Sequence, residues 1–324
     1  MEQLAQSGIG LALAAFALTV VATRRVLGYL RQKQIMDLPN ERSSHSLPTP
    51  RGGGLATTPV LALALLVQAD FRFLGIGALA LLAISWIDDR KGLPPGPRFA
   101  AHGVAVLGLL LLLPGDALVF QGVLPLWADR VLALLGWLWF VNLYNFMDGI
   151  DGITGVETLS LGLGIALVGG GTLTAPALVV AAVAAAFLVF NWHPAKLFLG
   201  DSGSVPFGYV LGGLLVMLAI GGQLAAALIL PAYYLADATI TISRRALAGE
   251  KIWQPHRKHF YQRAVQGGKR HDQVSLAIAL GNALLVGCAW LAVSGQVLAG
   301  SAAAGLVVAG LLAILQKWAQ GEKP

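Results

Sequence analysis

Eleven long apolar stretches constrain this chain more than any other feature. They run Gly8–Leu27, Leu55–Ala69, Phe73–Ile87, Phe99–Leu113, Val131–Phe146, Thr154–Val168, Leu173–Phe190, Val205–Ile220, Gln223–Ile242, Val274–Val293 and Leu298–Leu315, each bounded by charged or turn-forming residues. A helix needs roughly 20 such residues to cross a bilayer, and the second to sixth stretches are short by that measure. Of 324 residues, 56% are hydrophobic and only 12% charged, against roughly 25% charged in soluble domains. The balance excludes a soluble cytosolic enzyme. It also excludes disorder, which requires a scarcity of Leu, Val and Phe. The expected fold is all-α: a polytopic integral membrane protein of about eleven transmembrane helices.

The first stretch is expected to be a retained helix, because Glu2 precedes it, Arg24 and Arg25 follow it, and no small-x-small site ends it. Threading the stretches in alternation puts twenty of the 22 Lys and Arg on one side and only Arg72 and Arg130 on the other. This asymmetry predicts an outside, periplasmic N-terminus and a cytoplasmic C-terminus. The net charge of +6 then belongs to a membrane face that meets lipid head groups and anionic substrates, and nucleic acid is not an expected partner. Trp127, Trp137, Trp192, Trp253 and Trp318 stand near stretch ends, where interfacial anchors belong. With no repeat and no linker, residues 1–324 read as one transmembrane domain with cytoplasmic loops near 28–54, 88–98, 147–153, 191–204 and 243–273. The only cysteine, Cys288, lies in an apolar run; it permits no intrachain disulfide and reads as a small buried hydrophobe.

Carboxylates are costly near lipid and so mark sites. Asp88, Asp89, Asp148, Asp151, Asp201 and Asp237 all fall at cytoplasmic stretch ends. The adjacent Asp88 and Asp89 precede Arg90 and Lys91; they suit a solvated ion-pair cluster, cation binding or proton abstraction. From Asn142 through Asn145 and Asp148 to Asp151, polar groups recur every third residue, which places neighbours on roughly one helical face. Such oxygen-only donors suit a hard divalent cation such as Mg²⁺. Asp201 in Gly200-Asp201-Ser202-Gly203-Ser204 either caps the following helix, as Ser202 also would, or holds a metal beside an anion.

Two basic loops complete the set. His256, Arg257, Lys258, His259 and Arg263 have no third His or Cys nearby for zinc, and fit the grip on a diphosphate. Asn40, Arg42, Ser43, His45, Pro48, Thr49, Pro50 and Arg51 lead into Gly52-Gly53-Gly54, whose backbone N–H groups are expected either to face an anion or to form a flexible solvated turn.

With those motifs in hand, the chain from Asp37 to about Arg263 resembles the polyprenyl-phosphate N-acetylhexosamine-1-phosphate transferases. That family includes the phospho-MurNAc-pentapeptide translocase and the enzymes that begin O-antigen and enterobacterial common antigen synthesis. Five motifs follow the family's order: the Pro-Thr-Pro-Arg-Gly-Gly-Gly loop, Asp88-Asp89, Asn142 to Gly152, Gly200 to Ser204, and the His256/His259 loop. The resemblance implies ten or eleven spans with the same sidedness, in the bacterial inner (cytoplasmic) membrane among its lipids, with the active site on the cytoplasmic face.

It also implies transfer of a sugar 1-phosphate from a UDP-N-acetylhexosamine to undecaprenyl phosphate with release of UMP, dependent on Mg²⁺ or Mn²⁺. Carried over by position, Asp201 is the metal ligand, and Asn142 and Asn145 lie near metal and nucleotide. Asp88 deprotonates or receives the lipid phosphate with Asp89 beside it, and Asp148 and Asp151 form the family's essential pair. His256 and His259 match the histidines of the last large loop; Arg42, His45, Arg51 and Arg263 are expected to bind substrate. His256-Arg257-Lys258-His259 replaces the tighter histidine cluster of several relatives, a pattern more like the subgroup acting on N-acetylfucosamine or N-acetylquinovosamine. The lipid substrate needs a lateral opening, and Pro231 is expected to break the ninth span and leave one. A homodimer is the assembly considered. An ion-coupled secondary transporter is the competing reading, although transporters gather their acids near the midplane.

Overall fold

The computed structural model describes residues 2–39, 44, 47–252, 254 and 256–321, with side chains from residue 8 onward. Asn40, Arg42, Ser43, His45, Trp253 and Pro255 lie outside the described residues.

In chain order the elements are α1 (Glu2–Gln32), β1 (Met36–Asp37), β2 (Thr49–Pro50), α2 (Gly54–Leu66), α3 (Arg72–Lys91), α4 (Pro95–Leu111), α5 (Leu126–Phe146), α6 (Ile153–Gly169), α7 (Thr174–Asn191), α8 (Asp201–Leu218), α9 (Leu224–Ile229), α10 (Ala232–Leu247), α11 (Phe260–Gln266), α12 (His271–Val293) and α13 (Val297–Ala319). All eleven apolar stretches are helical. Among the described residues, seven runs are long and apolar enough to cross a membrane: Gly8–Gln32, Ala69–Lys91, Leu126–Phe146, Gly171–Asn191, Asp201–Ile229, His271–Val293 and Val297–Ala319. Gly54–Leu66 and Ile153–Gly169 are apolar but shorter.

The eighth and ninth stretches divide differently from the sequence reading. From α8 the chain passes through a π-helical turn over residues 219–223 into α9, so that Asp201–Ile229 is one apolar run. Gly222 makes this turn with φ 90°, a conformation that costs a residue without Cβ almost nothing. The break comes after α9, where Pro231 stands at the N-cap of α10. Proline has no N–H to donate backward and its ring clashes with the preceding turn, so the expected interruption is present.

Helix α8 is the centre of the bundle, packed on α3 and α5 and buried along nearly its whole length. Close approach requires small residues: a Cβ at Gly212 would fall 2.3 Å from the Trp137 ring. Tyr144, Tyr209, Tyr233 and Tyr234 fill the middle of the core. Outward, large apolar side chains stand bare, among them Leu18, Leu111, Leu298 and Leu306. A soluble monomer rarely exposes apolar surface on this scale, whereas a lipid-facing one must.

A small antiparallel pairing, Met36 with Pro50 and Asp37 with Thr49, folds the first loop back onto the bundle end. The strand then continues alongside Phe198 through a parallel bridge from Arg51. Gly52 and Gly53 donate their N–H groups to Phe198 O at 3.1 and 2.9 Å, and Gly54 donates to Leu199 O at 2.9 Å. The triple glycine is therefore neither an anion nest nor a solvated turn. Its donors are spent on the segment that leads into α8, and all three residues are buried.

Candidate active site

Arg51 is the first hub of the site. Its guanidinium lies 3.0 Å from Asp89 Oδ1, 2.7 Å from Asp201 Oδ1 and 3.5 Å from Asp37 Oδ2. Burial works against its charge, but Asp201, Asp89 and Asp37 outweigh it and hold the group protonated far above neutral pH. The second hub is Arg98, whose Nε lies 2.7 Å from Asp88 Oδ2 and whose Nη2 lies 2.8 Å from Asp201 Oδ2. Asp201 thus sits between two guanidiniums, and Asn145 Nδ2 donates to it at 3.3 Å. Ser204 Oγ donates to Asn145 Oδ1 at 2.7 Å, which orients the amide.

The cap of α8 is Asp89, not Asp201 or Ser202. Asp89 Oδ1 accepts from Asp201 N at 3.0 Å, and Oδ2 accepts from Ser202 N at 2.9 Å. A carboxylate at a helix N-terminus satisfies orphan donors and opposes the helix dipole. Asp88 accepts from Leu93 N at 2.6 Å besides its pairing with Arg98. The adjacent pair is therefore split between two cations, Asp88 with Arg98 and Asp89 with Arg51.

The every-third-residue pattern holds only as far as helix α5, which stops at Phe146. Asn142 turns to His102 Nδ1 at 3.3 Å and to Leu138 O at 2.7 Å and is buried away from the cavity, while Asn145 reaches it. Asp148 lies beyond the helix with its Oδ1 accepting from Thr154 Oγ1 at 2.6 Å. Burial pushes its carboxyl up to about 6. Asp151, three residues on, takes different partners: its Oδ2 lies 2.6 Å from His193 Nδ1, and its Oδ1 lies 3.3 Å from His271 Nδ1. Burial works to raise Asp151, but those histidines and the Ala195 N–H hold it below the usual carboxylate range.

Asp237, fully buried, repeats the capping device at α11. It accepts from Phe260 N at 3.1 Å and Tyr261 N at 3.4 Å, and its Oδ1 lies 3.0 Å from His259 Nδ1. With Nδ1 directed at a carboxylate, His259, which lines the cavity, keeps its Nε2 buried and without a protein partner among the described residues. His256 stands beside it, ring centroids 4.8 Å apart, its basicity pushed down to about 4 by burial and then by the charges of His259, Arg245 and Lys258. Lys258 pairs with Glu250 instead of facing the cavity.

These groups enclose a cavity of about 500 Å³, lined by Arg51, Arg98, Asn145, Asp148, Asp151, Asp201, His256, His259 and His271 among others. Five segments far apart in sequence meet there. Arg263 does not line it. Gln262 takes the cavity side of α11, and a step of about 100° carries the next residue round the helix, to a neighbouring hollow of about 350 Å³ with Arg244 and Arg257. Sequence reasoning passed over Arg98, His193 and His271. Arg98 was counted only as a positive-inside charge, and the two histidines stood alone in their segments; only their rarity in so apolar a chain marked them.

The sequence pattern of Glycosyl transferase family 4 matches residues 71–219, which include Asp88, Asp89, Asn145, Asp148 and Asp201. The chain is 30% identical over 272 residues to the probable undecaprenyl-phosphate N-acetylglucosaminyl 1-phosphate transferase of Bacillus subtilis, covering 76% of this chain and 74% of the relative. It is 30% identical to the decaprenyl-phosphate N-acetylglucosaminephosphotransferase of Mycolicibacterium smegmatis, with 86% and 82% covered. A phospho-N-acetylmuramoyl-pentapeptide-transferase of a Synechococcus species is 32% identical, with 75% and 78% covered.

Proposed function

The chain belongs to glycosyl transferase family 4, and on that premise we propose that it transfers an N-acetylhexosamine 1-phosphate from a UDP-sugar to undecaprenyl phosphate. An oxygen of the lipid phosphate attacks the β-phosphorus, the bond from that phosphorus to the bridging oxygen breaks, and UMP leaves. The sugar is GlcNAc or a 6-deoxy relative such as FucNAc or QuiNAc, and the step initiates O-antigen or another envelope polysaccharide. The N-terminus lies in the periplasm and the site faces the cytoplasm, in the inner membrane of a bacterium.

The observation that carries this reading is the pair of guanidiniums, Arg51 and Arg98, held on either side of Asp201 at the cavity wall. Reaction between two anions demands neutralised charge and aligned partners, more than covalent help from the protein. His259, lining the same cavity, keeps a buried Nε2 without a protein partner among the described residues, available to a phosphate or sugar oxygen. Tied to Asp237, it needs no reorientation on binding.

The donor set fits Mg²⁺ or Mn²⁺. Asp88, Asp89, Asp148 and Asp201 outnumber Arg51 and Arg98 by two charges, and the groups around Asp201 and Asn145 offer oxygen, the hard ligand those ions prefer. Asp201, with Asn145 beside it, would hold the ion, which supplies charge neutralisation for the diphosphate. Asp88, paired with Arg98 and not itself among the residues lining the cavity, would keep the lipid phosphate dianionic. The break at Pro231 leaves irregular backbone between α9 and α10, which supports a lateral entry for the isoprenoid.

The test is to incubate purified protein with undecaprenyl phosphate, Mg²⁺ and each UDP-sugar, and to measure UMP. Release with one UDP-sugar, abolished by chelator, is expected. No UMP with any of them, together with solute uptake into proteoliposomes, would replace this reading with the transporter.

A further inference from the structure

Asp151, His193 and His271 come from three separate segments and meet beside the cavity, which Asp151 and His271 line. Each offers one ligand atom, and the three atoms lie within 4.8 Å of one another. Nothing that pairs with Asp201 pairs with them: Asp151 is held by His193, His271 and Ala195 N, whereas Asp201 is held by Arg51, Arg98 and Asn145.

The ring of His271 is fixed from behind. Its Nε2 lies 3.0 Å from the Ser44 carbonyl oxygen, which only accepts, so Nε2 carries the hydrogen and Nδ1 presents a lone pair. Nδ1 lies 3.3 Å from Asp151 Oδ1 and accepts from the Asp151 N–H at 3.3 Å. The three ligand atoms lie close enough together for one cation to meet them all. A backbone carbonyl behind a histidine is also the arrangement that orients ligating imidazoles in metalloproteins. Asp151 itself is braced, its carbonyl accepting from Ser275 Oγ at 2.8 Å and its carboxylate from Ala195 N at 3.1 Å.

We propose that Asp151, His193 and His271 bind a borderline divalent transition ion, Zn²⁺ foremost, at a site separate from the oxygen-donor cluster around Asp201. Two imidazoles and a carboxylate suit such ions and discriminate against Mg²⁺. The side chain of His193 is 30% exposed, so the remaining coordination position opens to water or to a substrate oxygen. Bound there, the ion ties the Asp148–Gly152 turn and the segment leading into α8 to the start of α12. It thereby holds Asp148 and Asp201 in register.

The test uses full-length protein in detergent, its affinity tag removed, stripped with chelator and titrated with Co²⁺. The expected result is a visible ligand-field band saturating at one equivalent, displaced by Zn²⁺ and untouched by millimolar Mg²⁺. His271→Ala and His193→Ala should each weaken Co²⁺ binding by about 100-fold or more. His193, partly exposed, serves if the His271 variant fails to fold. Asp201→Asn should keep the band even where UMP release is lost, so this site and the transferase reading fail separately. No band above that of aqueous Co²⁺, or a band that survives both histidine substitutions, overturns the proposal.

Discussion

Asp89 caps the helix that Asp201 begins: its carboxylate accepts the Asp201 N–H at 3.0 Å and the adjoining Ser202 N–H at 2.9 Å, with Arg51 bound at its side. The residue is a positioning group for Asp201. Asp89→Ala is expected to cost about 1–3 kcal/mol, since a lost cap alone costs about 0.5–2 kcal/mol and an uncompensated Arg51 adds to it. Asp89→Asn, which keeps one acceptor, should cost less. Thermal unfolding of the two variants in detergent reads the difference; equal midpoints to the parent would remove the capping role.

Asp201 carries the opposite expectation. Asp201→Asn keeps the shape and one oxygen but removes the charge between Arg51 and Arg98, so UMP release should fall by about three orders of magnitude, as when a preorganised electrostatic group is lost. The unfolding midpoint should change little. Full turnover in this variant would exclude Asp201 from the metal shell.

Asp148 predicts a pH effect of definite sign. Its folded-state value of about 6 exceeds the ordinary 3.8, so the folded protein binds this proton more tightly than the unfolded chain. The group therefore lowers stability progressively as pH rises from about 4 through about 6, by roughly 3 kcal/mol in all. Asp148→Asn should flatten that part of the profile, matching the parent near pH 4 and exceeding it at neutral pH. Unfolding midpoints across this range decide it. Parallel profiles for parent and variant would show that the carboxyl is not buried as described.

Gly54 meets α8 backbone to backbone, and a Cβ there would lie 2.1 Å from Ser202 C. Neither side can yield as a flexible side chain would. Gly54→Ala should cost more than about 3 kcal/mol, beyond ordinary overpacking, and appear as loss of folded protein in size-exclusion chromatography. Recovery of normal folded yield would contradict the contact.

The Asp237–His259 pair predicts a substrate effect. His259→Ala removes the unpartnered Nε2 of a cavity-lining residue, and the loss of a hydrogen bond to a charged oxygen, about 1.5–3 kcal/mol, corresponds to a KM for the UDP-sugar raised roughly 10–100-fold. Asp237→Asn loosens the acceptor that fixes the His259 ring through Nδ1 and should raise the same KM in part. An unchanged KM in both variants would remove the imidazole from substrate binding.

Much of the fold was legible in the residues. Apolar stretches of this length favour one regular solution in lipid, the helix, so each was legible as helical, although the eighth and ninth divide at Pro231 and not at Gly222. Pro231 announced its break because the missing N–H acts locally. Where the outcome depended on non-local partners, reading along the chain failed. The triple glycine looked like an anion loop, yet its N–H groups belong to Phe198 and Leu199. Asp148 and Asp151 looked like one pair, but Asp148 is held by Thr154 and Asp151 by His193 and His271.

The sequence by itself determined that this chain is a helical membrane protein with acids, histidines and basic residues gathered at loop ends, because hydropathy and charge are sums over local residues. Only the tertiary structure decided what each group does. It made Asp89 and Asp237 caps for helices that begin far along the chain, placed Asp201 between Arg51 and Arg98, and joined Asp151 to His193 and His271. Those roles depend on distances of about 3 Å between segments more than 20 to 100 residues apart, and no local pattern encodes them, because hydrogen bonds and ion pairs fall away within an ångström or so of their ideal separation.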